Sequence, residues 1–278
     1  MTPLLPTSAA TVFFDGTFST PRLAHPEGVA VHADGSVWAG TENGDLVRVA
    51  PDGSAVEPLG STDGFLLGLA FDGAGNCYAC DLRHAAIFRY DARSGALDRF
   101  ASGGIVVPNY PVVDEARGHL YVSDSFDFNR PGGGIYRYDL ATGEGGLWTS
   151  EEMQFANGMA MAPDGSGLFV VESTAAALSF VPIGPDGAAG PRRRVVGGLD
   201  VVPDGVLVLP GGDLIVSMYE PSRLYRWSER SGLELLIEDR QATVLAHPTN
   251  VALLPDGHLV TANLGRWHLS KVDLSGLE

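Results

Sequence analysis

The sequence predicts an all-β fold, a six-bladed β-propeller in which every blade has four antiparallel strands. Two observations lead to it. A motif of a few apolar residues, a tight glycine-containing turn and a β-rich run occurs six times, and successive copies lie 40 to 48 residues apart, the length of a four-stranded blade. The 36 glycines suit many short strands joined by tight turns. The copies occupy residues 25–35, 67–73, 109–118, 157–165, 204–212 and 249–257.

The strands within each copy follow one order. In the first copy, β-rich runs occupy Val29–Val31, Ser36–Ala39 and Asp45–Val49, separated by turn residues. A third strand can be recognised in the later copies from its apolar and aromatic residues. These third strands are predicted at Ala86–Tyr90, Gly134–Tyr138, Leu178–Phe180 and Arg223–Trp227.

The two ends of the chain predict how the ring closes. The sixth copy completes its third strand at His268–Val272 and leaves too little chain for a fourth. Ala10–Phe14 is an apolar strand that precedes the first blade, and we expect it to supply the missing outer strand, which removes an exposed edge. Because no linker interrupts the repeat, we expect residues 1–278 to form a single domain.

One aligned column of residues falls at the start of each innermost strand. Equivalent positions in a closed propeller face one another across the central channel, so these residues should converge there. Carboxylate and amide oxygens without histidine or cysteine suit a hard cation, Ca²⁺ first, with Mg²⁺, Mn²⁺ or Zn²⁺ possible. The column reads Glu27, Leu67, Asn109, Asn157, Asp204 and Thr249.

The predicted ligands are therefore Glu27, Asn109, Asn157 and Asp204. They place the cation off-centre, toward blades 1, 3, 4 and 5 and away from Leu67 and Thr249. An alternative is that these polar residues only bind channel water or backbone groups. Two carboxylates close together in a channel would repel each other unless a cation lay between them, which favours the metal site.

The loops between second and third strands share the channel mouth with this column. The longest of them, Asp124 to Gly133, contains Phe126 and Phe128 and is expected to cover a ligand. We expect the first residues of these loops to form an acidic, polar rim. They are Glu42, Asp81, Asp124, Glu172, Tyr219 and Asn263.

Histidines and serines near the mouth allow other interpretations. His25 and His247 each lie two residues before the column and precede a proline, which suits either a catalytic role or a shared turn. Ser123, Ser125 and Ser217 lie at the ends of second strands, but no Gly-x-Ser-x-Gly motif surrounds them, which disfavours a serine hydrolase.

Two further clusters are expected to be structural. Cys77 and Cys80 lie in a strand-like run, where residues three apart point to opposite faces, so we expect buried thiols rather than a metal or redox pair. The basic run 192–194 follows a stretch rich in glycine and proline and is expected to be a solvated turn.

The charge and the absence of targeting signals limit the partners. A net charge of −16 disfavours nucleic acid and anionic membranes, which leaves a small-molecule substrate. No signal peptide or membrane-spanning run is recognisable, so a cytoplasmic protein is expected. The oligomeric state stays open, and a monomer is plausible.

Several motifs together resemble the gluconolactonase/regucalcin family of six-bladed propellers, the senescence marker protein type, across nearly the whole chain. Weaker similarity to strictosidine-synthase-like propellers lies in 155–158 and 133–136. The motifs that carry the main resemblance are Pro26-Glu27-Gly28, Asn109, Phe155-Ala156-Asn157-Gly158, Pro203-Asp204-Gly205 and His247-Pro248-Thr249-Asn250-Val251-Ala252.

The resemblance implies a divalent-metal-dependent lactone hydrolase. It assigns the cation to the residues that match Glu27, Asn157 and Asp204, places Asn109 beside it, and makes Asp204 the candidate general base. Sugar lactonases of the family typically have Asp after the third-blade Asn and Arg two residues before it. This chain has Tyr110 and Val107 there, which makes the pocket more apolar.

The substrate contacts predicted on this basis are Asn109, Tyr110, Phe126 and Tyr219. These aromatic residues also suit an alternative, in which the same scaffold catalyses a cyclisation, isomerisation or lyase step on an aromatic or hydrophobic metabolite. A further alternative is a non-catalytic metal- or ligand-binding propeller.

Overall fold

The computed structural model describes residues 1–149 and 151–277, and in these residues the strands form six four-stranded antiparallel sheets. Blades 1 to 5 each use four consecutive strands, from the channel outwards. Blade 1 contains β2 (Val29–Val31), β3 (Val37–Gly40), β4 (Asp45–Val49) and β5 (Val56–Ser61); blade 2 contains β6 (Leu66–Phe71), β7 (Cys77–Asp81), β8 (Ala86–Tyr90) and β9 (Leu97–Ala101). Blade 3 contains β10 (Pro108–Asp114), β11 (His119–Asp124), β12 (Gly134–Asp139) and β13 (Gly145–Leu147). Blade 4 contains β14 (Ala156–Met161), β15 (Gly167–Glu172), β16 (Ala177–Pro182) and β17 (Arg193–Gly197); blade 5 contains β18 (Val202–Val208), β19 (Leu214–Glu220), β20 (Arg223–Ser228) and β21 (Gly232–Glu238).

Blade 6 joins the two ends of the chain. Its three inner strands are β22 (Pro248–Leu253), β23 (Leu259–Asn263) and β24 (His268–Val272), and its outermost strand is β1 (Ala10–Asp15). β1 runs antiparallel to β24 in a register that pairs Thr11 with Lys271. Both the predicted fold and the predicted closure by the N-terminal strand are confirmed.

The hydrophobic core lies between neighbouring blades. Phe14 of β1 packs with Val47 and Leu269 in the core between the last and the first blade. Because every blade has apolar side chains on both faces, each interface between blades excludes water and holds the ring together. The innermost strands of adjacent blades contact one another all round the channel.

The two cysteines belong to different interfaces between blades. Cys77 packs with Trp38 on the blade 1 side of β7, and Cys80 packs with Leu120 on the blade 3 side. Both are buried free thiols, and burial raises the pKa of each. The prediction of structural thiols on opposite faces is confirmed.

The arginine run is not a turn, so that prediction is wrong. Arg193 begins β17, the outermost strand of blade 4, where long charged side chains remain in solvent. The preceding Arg192 forms an ion pair with the buried Glu172, with Nη1 2.6 Å from Oε2. An outer strand tolerates the exposed Arg193 and Arg194 because one edge of it is not covered by another strand.

Helix contributes little to the described part of the chain, in which two 3₁₀ turns occur, at Thr7–Ala9 and Ser173–Ala175. None of the helices within residues 1–149 and 151–277 has the length and apolar character needed to cross a membrane.

Candidate metal and catalytic site

Four glycines bring the innermost strands unusually close together. Each follows a column residue directly, and a Cβ at its position would overlap the carbonyl oxygen of the column residue in the next blade. A side chain there would push two strands apart, so glycine is required for the approach. The distances from such a Cβ to the facing oxygen are 2.0 Å for Gly28 and Leu67 O, 2.7 Å for Gly68 and Asn109 O, 2.7 Å for Gly158 and Asp204 O, and 2.6 Å for Gly205 and Thr249 O.

The four predicted ligands each keep one buried oxygen without a hydrogen-bond partner. All four side chains are buried at the channel ends of their strands. Buried polar atoms in folded proteins are nearly always paired, so four unpaired oxygens in one column indicate a partner that protein atoms do not supply. The atoms are Glu27 Oε2, Asn109 Oδ1, Asn157 Oδ1 and Asp204 Oδ1.

Two serines fix the asparagine amides so that their oxygens remain free. Asn109 Nδ2 donates to Ser125 Oγ at 3.0 Å, and Ser125 donates onward to the carbonyl oxygen of Ala156 in the next blade at 2.8 Å. Asn157 Nδ2 donates to Ser173 Oγ at 3.1 Å in the same arrangement, and Ser173 donates to the Pro203 carbonyl at 2.6 Å. Because each amide nitrogen donates to a serine, the carbonyl oxygen of each asparagine is the atom left to bind a cation.

This supporting role of the two serines was missed at the level of sequence. The motif pattern suggests Ser125 only as a nucleophile and does not single out Ser173. A signal was available, because each serine follows its asparagine by 16 residues in two successive blades.

The two carboxyls affect each other's ionisation. Burial raises the pKa of Glu27 well above its ordinary value, and the negative charge of Asp204 raises it further. Burial also raises the pKa of Asp204, while the Asn157 amide acts in the opposite direction. Both groups can be ionised together only if positive charge lies close by, and neutral water does not supply it.

The donor set fits a hard divalent cation. It combines two carboxylates and two amide oxygens, the ligand types that Ca²⁺ prefers. Among residues 1–149 and 151–277 there is no group of three or more His, Cys, Asp or Glu side chains placed to hold a metal. The site therefore depends on the asparagine oxygens, and the absence of thiolate and imidazole donors from this set disfavours Zn²⁺.

Tyr110 lies beside this cluster. Its ring approaches Gly68, where Cδ2 is 2.6 Å from the position a Cβ would take. Burial and the charge of Glu27 raise the pKa of Tyr110 to about 12, which keeps the phenol protonated. The ring thus occupies the blade 2 side of the channel, where the column has Leu67 instead of a ligand.

Phe126 lies in the mouth loop between β11 and β12, and Tyr219 lies near the mouth end of β19. The Phe126 backbone has a left-handed φ of 58°, and the Arg130 guanidinium lies 5.1 Å from its ring centroid. The Tyr219 ring centroid is 4.8 Å from that of His247. The roles of Asn109, Tyr110, Phe126 and Tyr219 in substrate binding stay predictions.

The histidines that precede the column share one turn. His25 and His247 have φ values of 41° and 54°, and Phe155 at the equivalent place in blade 4 has 58°. In each histidine Nδ1 lies within hydrogen-bond distance of a backbone carbonyl, 2.7 Å from Leu264 O and 2.9 Å from Tyr219 O. These contacts support the shared-turn interpretation.

The prediction of an acidic, polar rim is wrong for four of its six residues, because their side chains are buried. Their side chains accept hydrogen bonds from backbone N–H groups of the mouth loops and so anchor those loops. Asp124, for example, accepts from Val106 N at 3.1 Å and from Val107 N at 2.8 Å. The buried residues are Asp81, Asp124, Glu172 and Asn263.

The remaining serines and Thr249 connect neighbouring blades. Ser123 Oγ donates to the Asn157 carbonyl at 2.7 Å, and Ser217 Oγ donates to the Thr249 carbonyl. Thr249 Oγ1 donates to the Glu27 carbonyl at 2.7 Å. These hydroxyls hold the backbone of the column residues and are engaged in that role.

Fold and site together define a six-bladed β-propeller with a cluster of oxygen donors in its central channel. The model of the SMP-30/gluconolactonase/LRE-like region matches residues 66–258, and the chain belongs to this family. A strictosidine synthase-like N-terminal model matches residues 18–49. Both resemblances are confirmed, although the strictosidine-synthase-like one is found in residues 18–49 and not in 133–136 and 155–158, where the motifs suggested it. No curated protein sequence gives a significant match.

Solved structures share the fold. A gluconolactonase from Xanthomonas campestris has a TM-score of 0.77 at 21% identity, covering 95% of this chain and 88% of its own. The calcium-binding protein regucalcin from Agrobacterium tumefaciens has a TM-score of 0.77 at 17% identity, covering 98% and 95%. Virginiamycin B lyase from Staphylococcus aureus has a TM-score of 0.68 at 14% identity, covering 95% and 99%. At these identities the likeness concerns the fold alone.

Proposed function

We propose that this protein is a divalent-cation-dependent hydrolase that opens a lactone to its hydroxy acid. The observation that carries the proposal is the set of four buried, unpaired oxygens on Glu27, Asn109, Asn157 and Asp204. Membership in a family whose description includes gluconolactonase, and the fold shared with a gluconolactonase, support the reaction class.

The same four side chains would hold the cation, and Ca²⁺ fits their oxygens best. When bound, such a cation supplies Lewis-acid polarisation of a carbonyl oxygen and positive charge for an oxyanion. The chain supplies the rigid frame, because Ser125 and Ser173 fix both amides and the glycines fix the spacing of the strands.

Asp204 is proposed as the general base. Its carboxylate would accept a proton from a water molecule whose oxygen attacks the lactone carbonyl carbon, and would return it to the ring oxygen as the ester bond breaks. One water is consumed and one hydroxy acid is formed. Asp204 can be both ligand and base only if one carboxylate oxygen stays free of the cation.

Tyr110 is proposed to orient the substrate. Its phenol stays neutral at physiological pH and is therefore a hydrogen-bond donor beside Glu27. A donor at that place can bind an oxygen of the lactone without adding charge to a site that already has two carboxyls.

The test is a hydrolysis assay on protein stripped with chelator and reloaded with Ca²⁺, Mg²⁺, Mn²⁺ or Zn²⁺ in turn. Acid release from a panel of lactones should disappear with chelation, return with at least one cation, and fall by about 10²–10⁴-fold in Asp204→Asn. Asp164→Asn, in an exposed turn of blade 4, is the matched control and should keep full activity. Activity indifferent to both the cation and Asp204 would contradict the proposal.

A second candidate keeps the pocket and changes the reaction. The aromatic rings of Tyr110 and Phe126 near the mouth favour a non-hydrolytic step, such as ring closure, isomerisation or elimination, on an aromatic or hydrophobic metabolite. Virginiamycin B lyase has the same fold. Turnover of a bulky aromatic compound without turnover of simple lactones would select this candidate. Cation binding without any turnover would select a calcium-binding protein, as regucalcin is described.

A further inference from the structure

Three large apolar side chains are exposed on the mouth of the channel. Val106 is 46% exposed, Phe128 51% and Val201 72%. Val106 and Val201 lie in the connections that lead into innermost strands, and Phe128 lies in the loop between β11 and β12. Both kinds of segment belong to the mouth end of the blades, and Ser125 N donates to the Val107 carbonyl at 2.9 Å, which joins them directly in blade 3.

These side chains have fixed positions relative to the donor cluster. Val106 and Val201 are equivalent in the repeat, because each lies three residues before a predicted ligand, Asn109 and Asp204. The Phe128 ring centroid is 5.2 Å from that of Phe155, which lies two residues before Asn157. Val106, Phe128 and Val201 therefore lie on segments that adjoin the predicted ligands of blades 3, 4 and 5.

Two of the acidic residues predicted at the channel mouth are not exposed beside these apolar side chains. Asp124 and Glu172, in blades 3 and 4, are buried and accept hydrogen bonds from the N–H groups of the loops that bear or neighbour the apolar side chains. The surface of these segments in blades 3 to 5 thus includes large apolar groups beside the carboxylates of Asp127 and Asp200, which are engaged in ion pairs with Arg130 and Arg223.

We propose that the substrate is a lactone bearing an apolar alkyl or aryl substituent, which lies against Val106, Phe128 and Val201 while the lactone ring reaches the donor cluster. The lactone part of this inference rests on the proposed function. An alkyl chain here covers apolar surface that is otherwise exposed to water, whereas the hydroxyls of a sugar lactone gain no hydrogen bond from these three side chains.

The test is a series of γ-lactones with 4-alkyl chains of increasing length, assayed beside glucono-δ-lactone. Each methylene that reaches the apolar side chains should raise kcat/KM by about two- to fourfold until the chain extends beyond them. Phe128→Ser and Val201→Ser should lower kcat/KM for the long-chain lactones and so weaken the dependence on chain length. Val12→Ser is the matched control, because Val12 is 46% exposed within β1, the outermost strand of blade 6.

A binding measurement separates this inference from the proposed function. Lactams with the same alkyl chains resist hydrolysis, so their affinities can be measured by calorimetry. Affinity that rises with chain length and falls in Phe128→Ser supports the inference even if no lactone is hydrolysed, a result that would contradict only the proposed reaction. Efficient hydrolysis with glucono-δ-lactone preferred and no effect of chain length overturns the inference and leaves the reaction standing.

Discussion

Glu27 and Asp204 bring two buried carboxyls together from the first and fifth blades, and the charge of Asp204 raises the pKa of Glu27. Such a pair is unfavourable in isolation because both groups have lost their hydration and repel each other. The rigid ring of inner strands keeps them in place, so the repulsion is relieved by protons or by a cation. This competition between protons and a cation predicts how stability should depend on pH and on Ca²⁺.

The stabilisation by Ca²⁺ should depend on pH. Burial raises the pKa of Asp204 to about 7, above its value in the unfolded chain, so the folded state binds more protons than the unfolded state between about pH 4 and that value. The cation-free protein should therefore lose stability as the pH rises through this window. The increase in Tm on adding Ca²⁺ should be larger at about pH 8 than at about pH 5, and calcium affinity should fall by about tenfold for each unit below the pKa of Asp204. Equal shifts at both pH values would contradict this.

Glu27→Gln should stabilise the cation-free protein at about pH 8 and reduce its stabilisation by Ca²⁺. The substitution removes one of two repelling charges and keeps the size of the side chain. Each kcal/mol of repulsion relieved should raise Tm by about 2–4 °C in a domain of this size. Differential scanning calorimetry with and without Ca²⁺ measures both effects. A variant that is less stable without cation, or that responds to Ca²⁺ as strongly as the wild type, would show that Glu27 is not part of the site.

Gly158→Ala should damage both the fold and the site. A Cβ at this position would lie 2.6 Å from Gly205 Cα and 2.7 Å from the Asp204 carbonyl, so β14 and β18 must separate. We expect a loss of at least about 1–3 kcal/mol in urea unfolding, together with weaker calcium binding. Gly211→Ala is the control, since nothing lies within 4 Å of the added Cβ there. Similar unfolding midpoints for the two variants would contradict the close-approach argument.

Ser173→Ala should destabilise the protein and weaken the cation site. The hydroxyl accepts from Asn157 Nδ2 and donates to the Pro203 carbonyl, and its removal leaves two buried groups unpaired. The expected cost is about 1–3 kcal/mol for each buried group that finds no new partner. Ser54→Ala, in an exposed turn, should change the free energy of unfolding little. If calcium affinity in Ser173→Ala equals that of the wild type, the serine does not orient Asn157.

Phe14→Ala should show that β1 closes the ring. Phe14 is 8% exposed and packs between the last and the first blade, so its truncation should cost about 3–5 kcal/mol. Phe18, which is 91% exposed, provides a matched control with almost no expected effect. Unfolding curves of equal midpoint for Phe14→Ala and Phe18→Ala would mean that the N-terminal strand contributes little to closure.

The repeated blade motif explains which parts of the fold and of the candidate site could be predicted from the sequence. The strand His268–Val272 has the bounds expected from the pattern, and β1 is one residue longer than expected, because turn residues border both runs. The four ligand candidates could be found because they occupy one register of a repeated unit. The acidic rim was predicted wrongly because the strand pattern places Asp124 at the mouth without showing that loop N–H groups capture its carboxylate. Contacts between blades, such as that of Ser173 with Pro203, depend on the closed ring and are not visible in one repeat.

Calorimetric titration of Ca²⁺ into chelator-treated protein tests the central claim most directly. We expect one ion bound per chain in the wild type and in Asp164→Asn. The affinity should be at least about tenfold weaker when any one of the four unpaired oxygens is removed or its charge is lost, in Glu27→Gln, Asn109→Ala, Asn157→Ala or Asp204→Asn. Absence of binding to the wild type, or wild-type affinity in all four variants, would contradict the claim that these residues form a cation site.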